Sequence, residues 1–179
     1  VTMRWTTRLG AALAAVVLAV TGSTGAPAAA DERGSQHGGW VPAPQEPFEQ
    51  PAGARCDFAV RVEPVVDEVR KLVLAVYPDG SPRRELYTGA LISVVTNLET
   101  GASTEVDASG TAFVEYGPDG SMTWYVTGPV LFGFRENGGS LPRGLWLIDG
   151  VYVVEFAPTL EKTLTMVHGT THDVCTDLD

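Results

Sequence analysis

Few residues of this 179-residue chain are of types that do chemistry: three His, two Cys, and 22 Asp+Glu set against 12 Lys+Arg. A metal site needs ligands that converge. His168 and His172 stand four positions apart in an alternating run, which on a strand separates them by about 13 Å. His37 lies in a Pro- and Gly-rich segment, and Asp173, Asp177 and Asp179 lack the glycine-turned spacing of a calcium loop. No metal and no cofactor are expected. Nucleophilic catalysis finds no Gly-x-Ser-x-Gly, and two bonded cysteines would leave no thiolate. Carboxylate pairs are available in any chain this acidic, so their presence is not diagnostic. The formal net charge of -10 argues against nucleic acid and against an anionic membrane surface, since both need Lys and Arg facing phosphate.

One constellation is compatible with binding. His168, Thr170 and His172 share parity with Leu164 and Met166, and Trp124, Phe132, Phe134, Trp146, Tyr152 and Phe156 fall on inward positions of alternating runs. In a small β-barrel such residues line a lumen that either holds one ligand or is filled by the side chains themselves. The same residues equally describe a packed core with a histidine near its rim.

The elements that must position these residues follow a leader. Arg4 and Arg8 precede an apolar run from Leu9 to Val20, and Ala28-Ala29-Ala30 closes a small-residue stretch. Basic, apolar and small-residue regions in this order form a secretory signal. The run is well short of the ~20 residues that span a bilayer. Residues 1–30 are therefore expected to be removed, leaving no membrane span in a secreted, extracellular chain. Residues 31–55 are rich in Pro, Gly and Ala without apolar periodicity and are expected to form a flexible stalk. Residues 56–179 are expected to form a single domain.

That domain reads as all-β. Phe58, Val60 and Val62 alternate with Ala59, Arg61 and Glu63; Met122, Trp124 and Val126 alternate with Thr123 and Thr127. Turn chemistry separates the runs. Pro78-Asp79-Gly80, Pro118-Asp119-Gly120 and Asp149-Gly150 mark reversals, and Gly128-Pro129 marks a break. The pattern predicts an antiparallel meander of about eight strands, at 57–63, 69–77, 87–98, 102–116, 121–135, 144–148, 151–156 and 163–174. Cys56 precedes the first and Cys175 follows the last. In an exported chain two cysteines are expected to be bonded, and an even-numbered meander closing into a small barrel brings those ends together. A β-sandwich with adjacent edge strands satisfies the bond as well.

Cys56-Asp57-Phe58-Ala59-Val60, Thr96-Asn97-Leu98-Glu99-Thr100-Gly101, Asp107-Ala108-Ser109-Gly110, Thr127-Gly128 and His172-Asp173-Val174-Cys175 together resemble a set of exported all-β proteins of high-GC actinomycetes. That resemblance implies location and a Cys56–Cys175 pairing, and transfers no catalytic residue. The expected function is non-catalytic: a secreted β domain, monomeric, acting as a small-ligand carrier for an apolar molecule or as a cell-envelope interaction module. The alternative is a small barrel enzyme, an isomerase or hydrolase, using His168 in the lumen. Mass spectrometry of exported material is expected to place the mature N-terminus at Asp31, and a chain retaining Arg4 or Arg8 would refute the leader.

Overall fold

The computed structural model describes residues 39–179, so the leader and the first part of the expected stalk lie outside the described residues. Alternation becomes strand throughout. Val60 and Val62 are buried while Arg61 and Glu63 are exposed, and Tyr152, Val154 and Phe156 are buried between exposed Val151 and Glu155. The strands are β1 (Val41–Pro42), β2 (Phe48–Gln50), β3 (Val60–Asp67), β4 (Arg70–Val76), β5 (Pro82–Thr88) and β6 (Leu91–Asn97), then β7 (Ser103–Asp107), β8 (Thr111–Tyr116), β9 (Met122–Thr127), β10 (Val130–Phe134), β11 (Gly144–Phe156) and β12 (Lys162–Asp173). A short 3-10 helix, Val174–Asp177, follows. An eight-stranded sheet runs β1-β4-β5-β8-β9-β11-β10 with β12 also on β11, and a four-stranded sheet runs β2-β3-β6-β7. All strand pairings are antiparallel.

The two sheets are one meander folded across its middle. β3 runs on into β4, β5 into β6, β7 into β8 and β9 into β10, each after a break of two or three residues. The breaks are neighbours in space. Glu68 N donates to Ala90 O, Gly110 N to Pro129 O and Gly128 N to Gly150 O, and Gly150 pairs with Gly169 across β11 and β12. At that pair the backbones approach so closely that a Cβ on Gly150 would collide with the His168 carbonyl oxygen, and one on Gly169 with that of Asp149. Both glycines hold positive φ, +135° and +148°, a conformation closed to most side chains. Asp149-Gly150, expected as a hairpin turn, therefore sits mid-strand, and 144–148 and 151–156 are one bent element. The turns at Pro78-Asp79-Gly80 and Pro118-Asp119-Gly120 form as expected: Asp79 and Asp119 each accept from the backbone N–H and hydroxyl of the following serine, Ser81 or Ser121.

The described residues are all-β and antiparallel, and among them no sheet closes into the expected barrel; the arrangement is sandwich-like. Closure would need every neighbouring pair to stay bonded along its length. Here β8 pairs with β9, while beyond the fold line β7 and β10 are the terminal strands of their own sheets. The first path's outer edge is also taken. Phe48 pairs with Val62 and Val41 with Lys71, and the Trp40 ring lies 5.1 Å from the Arg70 guanidinium carbon. The stalk expected over 31–55 is thus corrected for 41–50, whose backbone caps an otherwise open sheet edge.

Cys56 and Cys175 are bonded, with Cα atoms 5.5 Å apart and a sequence separation of 119. The bond joins the chain ahead of β3 to the 3-10 helix, within a core that includes Phe58, Val60, Val95, Leu145 and Leu178. A second core holds Val126, Phe132, Phe134, Ile148, Tyr152, Val154 and Phe156. β10 and the first half of β11 serve both, with Leu131 and Leu147 packed on one core and Phe132 and Ile148 in the other. Being covered on two faces, Leu145-Trp146-Leu147-Ile148 is apolar without alternation. Gly150→Ala is expected to lower stability by about 1–3 kcal/mol through backbone strain, measured as a denaturant midpoint. Gly39→Ala, with nothing within 4 Å of the added carbon, is expected to leave it unchanged.

Candidate functional site

Where β7 and β10 part company, a cavity of about 590 Å³ opens between the sheets. Small residues make the room: Ser93 on β6, Ala108 and Gly110 at the fold line, Ala112 on β8 and Gly133 on β10 all line it. Its apolar wall comes from both sheets, with Val62 and Leu91 from the four-stranded sheet and Val130, Leu131 and Leu145 from the eight-stranded one. Three aromatic residues meet on this wall. Trp124 lies 5.7 Å from Phe132 and 5.4 Å from Phe156, centroid to centroid, in tilted and edge-on contacts. The Trp124 Nε1 is buried and has no acceptor among the described residues.

Of the residues singled out from sequence, Trp124, Phe132 and Phe156 line this cavity. Phe134 and Tyr152 belong to the adjoining core without reaching it, and Tyr152 donates from its hydroxyl to Ile148 O at 2.9 Å. Trp146 packs on the same core and donates from Nε1 to Pro142 O at 3.0 Å. His168 is corrected: it is exposed and lies outside the cavity. Tyr152 pairs with Met166 but Val151 pairs with His168, so Val167 is an extra residue in the ladder. One inserted residue reverses the parity of all that follows, and His168 joins exposed Val151 on the outer face. His172 is exposed too, with Nε2 2.8 Å from Asp177 Oδ2.

Cations mark one part of the cavity wall. Arg55 lies across β10 at Gly133, where a Cβ would stand 2.5 Å from its Nε. The Lys162 Nζ stands 5.4 Å from the ring centroids of both Phe134 and Phe156. Arg55 and Lys162 both line the cavity. Arg135, next along from Phe134, donates to Thr159 O at 2.6 Å. Burial first, and then repulsion from Arg55 and Arg135, holds the Lys162 ammonium below its ordinary range. Burial and then Arg135 act in the same direction on Arg55. Among the described residues no carboxylate lies within 4 Å of any of the three.

Sequence reasoning missed a second polar group beside the cavity. Glu85 on β5 is 2% exposed and accepts from Lys71 Nζ at 2.9 Å, Tyr87 Oη at 2.6 Å and Tyr116 Oη at 2.7 Å. Burial is the largest single influence on its carboxyl and acts upward, yet the donations from Tyr87, Lys71 and Tyr116 together outweigh it and hold the group below its ordinary range. Burial raises both phenols, and their bonds to Glu85 raise them further. A carboxylate with both oxygens engaged in this way anchors three strands and is poorly placed to abstract a proton. The only sequence signal was a Glu on the same parity as Tyr87; its other partners, Lys71 and Tyr116, come from β4 and β8, outside any local window.

Because Glu85 is held low in the fold, the stability it contributes is present above the ordinary carboxylate range and is lost as pH falls through the depressed value. Glu85→Gln is expected to cost about 2–3 kcal/mol at neutral pH, and the gap from the native protein should narrow toward acid in paired denaturation curves. Comparison with protein-family models, curated proteins and solved structures finds no match to this chain.

Proposed function

We propose that this chain is an exported, non-catalytic β domain that carries a small, largely apolar molecule in the cavity between its sheets. The observation that carries the reading is the cavity itself. Its volume of about 590 Å³ lies within the range of small-molecule sites, and its mixture of apolar walls with a few polar groups is what such sites use. Small side chains hold the space open on both sides, which a core built only for stability would fill. Export is supported by the Cys56–Cys175 bond, which persists in oxidising compartments, and by the leader-like order of residues 1–30. The enzymatic alternative rested on His168 as an enclosed base, and that residue is exposed.

A neutral fluorescent probe, N-phenyl-1-naphthylamine, is expected to bind saturably with one-to-one stoichiometry. Filling the cavity by Ala108→Leu or by Ser93→Leu, two independent positions on its wall, is expected to weaken that binding about tenfold. Near-ultraviolet circular dichroism establishes that each variant is folded. Absent saturation, or unchanged affinity in folded variants, would overturn the reading.

A further inference from the structure

Resting on the carrier reading, we infer that the ligand is an anionic amphiphile, an apolar chain ending in a carboxylate or phosphate, with its head held by Arg55 and Lys162. The chain carries ten more negative than positive charges overall, yet three cations gather around the end of β10. Arg55 crosses Gly133, Lys162 lies over Phe134, and Arg135 follows in sequence. Two of them, Arg55 and Lys162, share the cavity wall with Phe132 and Phe156. Arg55 on the Gly133 face and Lys162 on the Phe134 face thus flank β10, a terminal strand of its sheet, and both border the one cavity.

Among the described residues the local contacts do not neutralise this charge. Arg55 donates from Nη1 to its neighbour's carbonyl, Ala54 O, at 2.7 Å, and Arg135 donates to Thr159 O. Both acceptors are neutral. Glu46 also lines the cavity but is exposed and forms no ion pair with Arg55 or Lys162. Cations gathered this closely repel one another and lose hydration, a cost that an anion placed between them reverses. A guanidinium supplies a planar fork and an ammonium a point charge, a pairing suited to carboxylate or phosphate oxygens. Gly133 has a stated part in this arrangement, since any side chain there would push Arg55 off the strand. The apolar chain would then lie against Leu131, Leu145 and Val62, between the sheets.

The test is calorimetric titration of the protein, its disulfide intact, with decanol, decanoate and decyl phosphate at neutral pH and low salt. Decanoate, decyl phosphate or both are expected to bind about tenfold or more tightly than decanol, and the tighter of the two identifies the head group. Added salt should erode that preference and leave decanol unaffected. In the double variant Arg55→Gln, Lys162→Gln both anions are expected to bind no more tightly than decanol does to that same variant, whose near-ultraviolet circular dichroism shows that it is folded. Decanol binding as tightly as the anions would overturn the inference and leave the carrier reading standing. A preference that survives in the double variant would overturn the assignment of Arg55 and Lys162. Binding of none of the probes would overturn the carrier reading and this inference with it.

Discussion

At Gly150 and Gly169 two backbones meet with no room for a side chain on either, and the long β11–β12 hairpin bends there because nothing else could occupy the contact. The same line of close approach runs through Gly128, Gly110 and the Glu68–Ala90 bond. Each path of the meander must change direction where it crosses the line. A flat meander with these residues would bury one face and leave the other wet. Folding it along the line gives two layers instead, with strands passing from one to the other through bends, as packed sheets do at their corners.

The fold line also decides where the layers fail to meet. Gly110 N to Pro129 O is a hydrogen bond between the third and fourth paths at the fold line, and past it β7 and β10 belong to different sheets. The cavity lies along this divergence and draws its wall from residues of both strands' surroundings. Its two kinds of surface answer to different physics. The aromatic corner of Trp124, Phe132 and Phe156 is favoured by burial alone, whereas Arg55 and Lys162 remain beside it against desolvation and against each other. Nearby, Glu85 shows the opposite solution to a buried charge, in which cation and hydroxyl donors from the chain itself complete its hydrogen bonds.

Much of the strand order was legible because alternation is a local property. Phe58 to Val62 and Met122 to Val126 carry their inside and outside on their face, and the cysteine pair could be read from compartment and placement. What escaped was set by events that leave no local trace. Val167 is a β-branched residue of the kind strands favour, and nothing in its identity announces that it is the extra residue which sends His168 outward. Residues 41–50 lack apolar periodicity because their role is to offer backbone to an open edge, for which side-chain pattern matters little. Glu85 is buried because Lys71 and Tyr116 arrive from other strands. The cavity itself is a deficit of volume at Ser93, Ala108, Ala112 and Gly133, positions that are near in space and scattered along the chain.

The 119-residue span of the Cys56–Cys175 bond has a consequence in time. Successive hairpins pair with their predecessors, so a chain delivered from its N-terminal side can assemble path by path, each step drawing on residues already present. Cys56 is among the first of these residues and its partner among the last. During that interval its thiol is exposed to any oxidant or to a neighbouring chain, and only the arrival of the 3-10 helix ends the wait. The covalent link therefore acts as a closing latch on a finished sandwich. Its formation reports that the whole meander has been delivered, in order, to the same place.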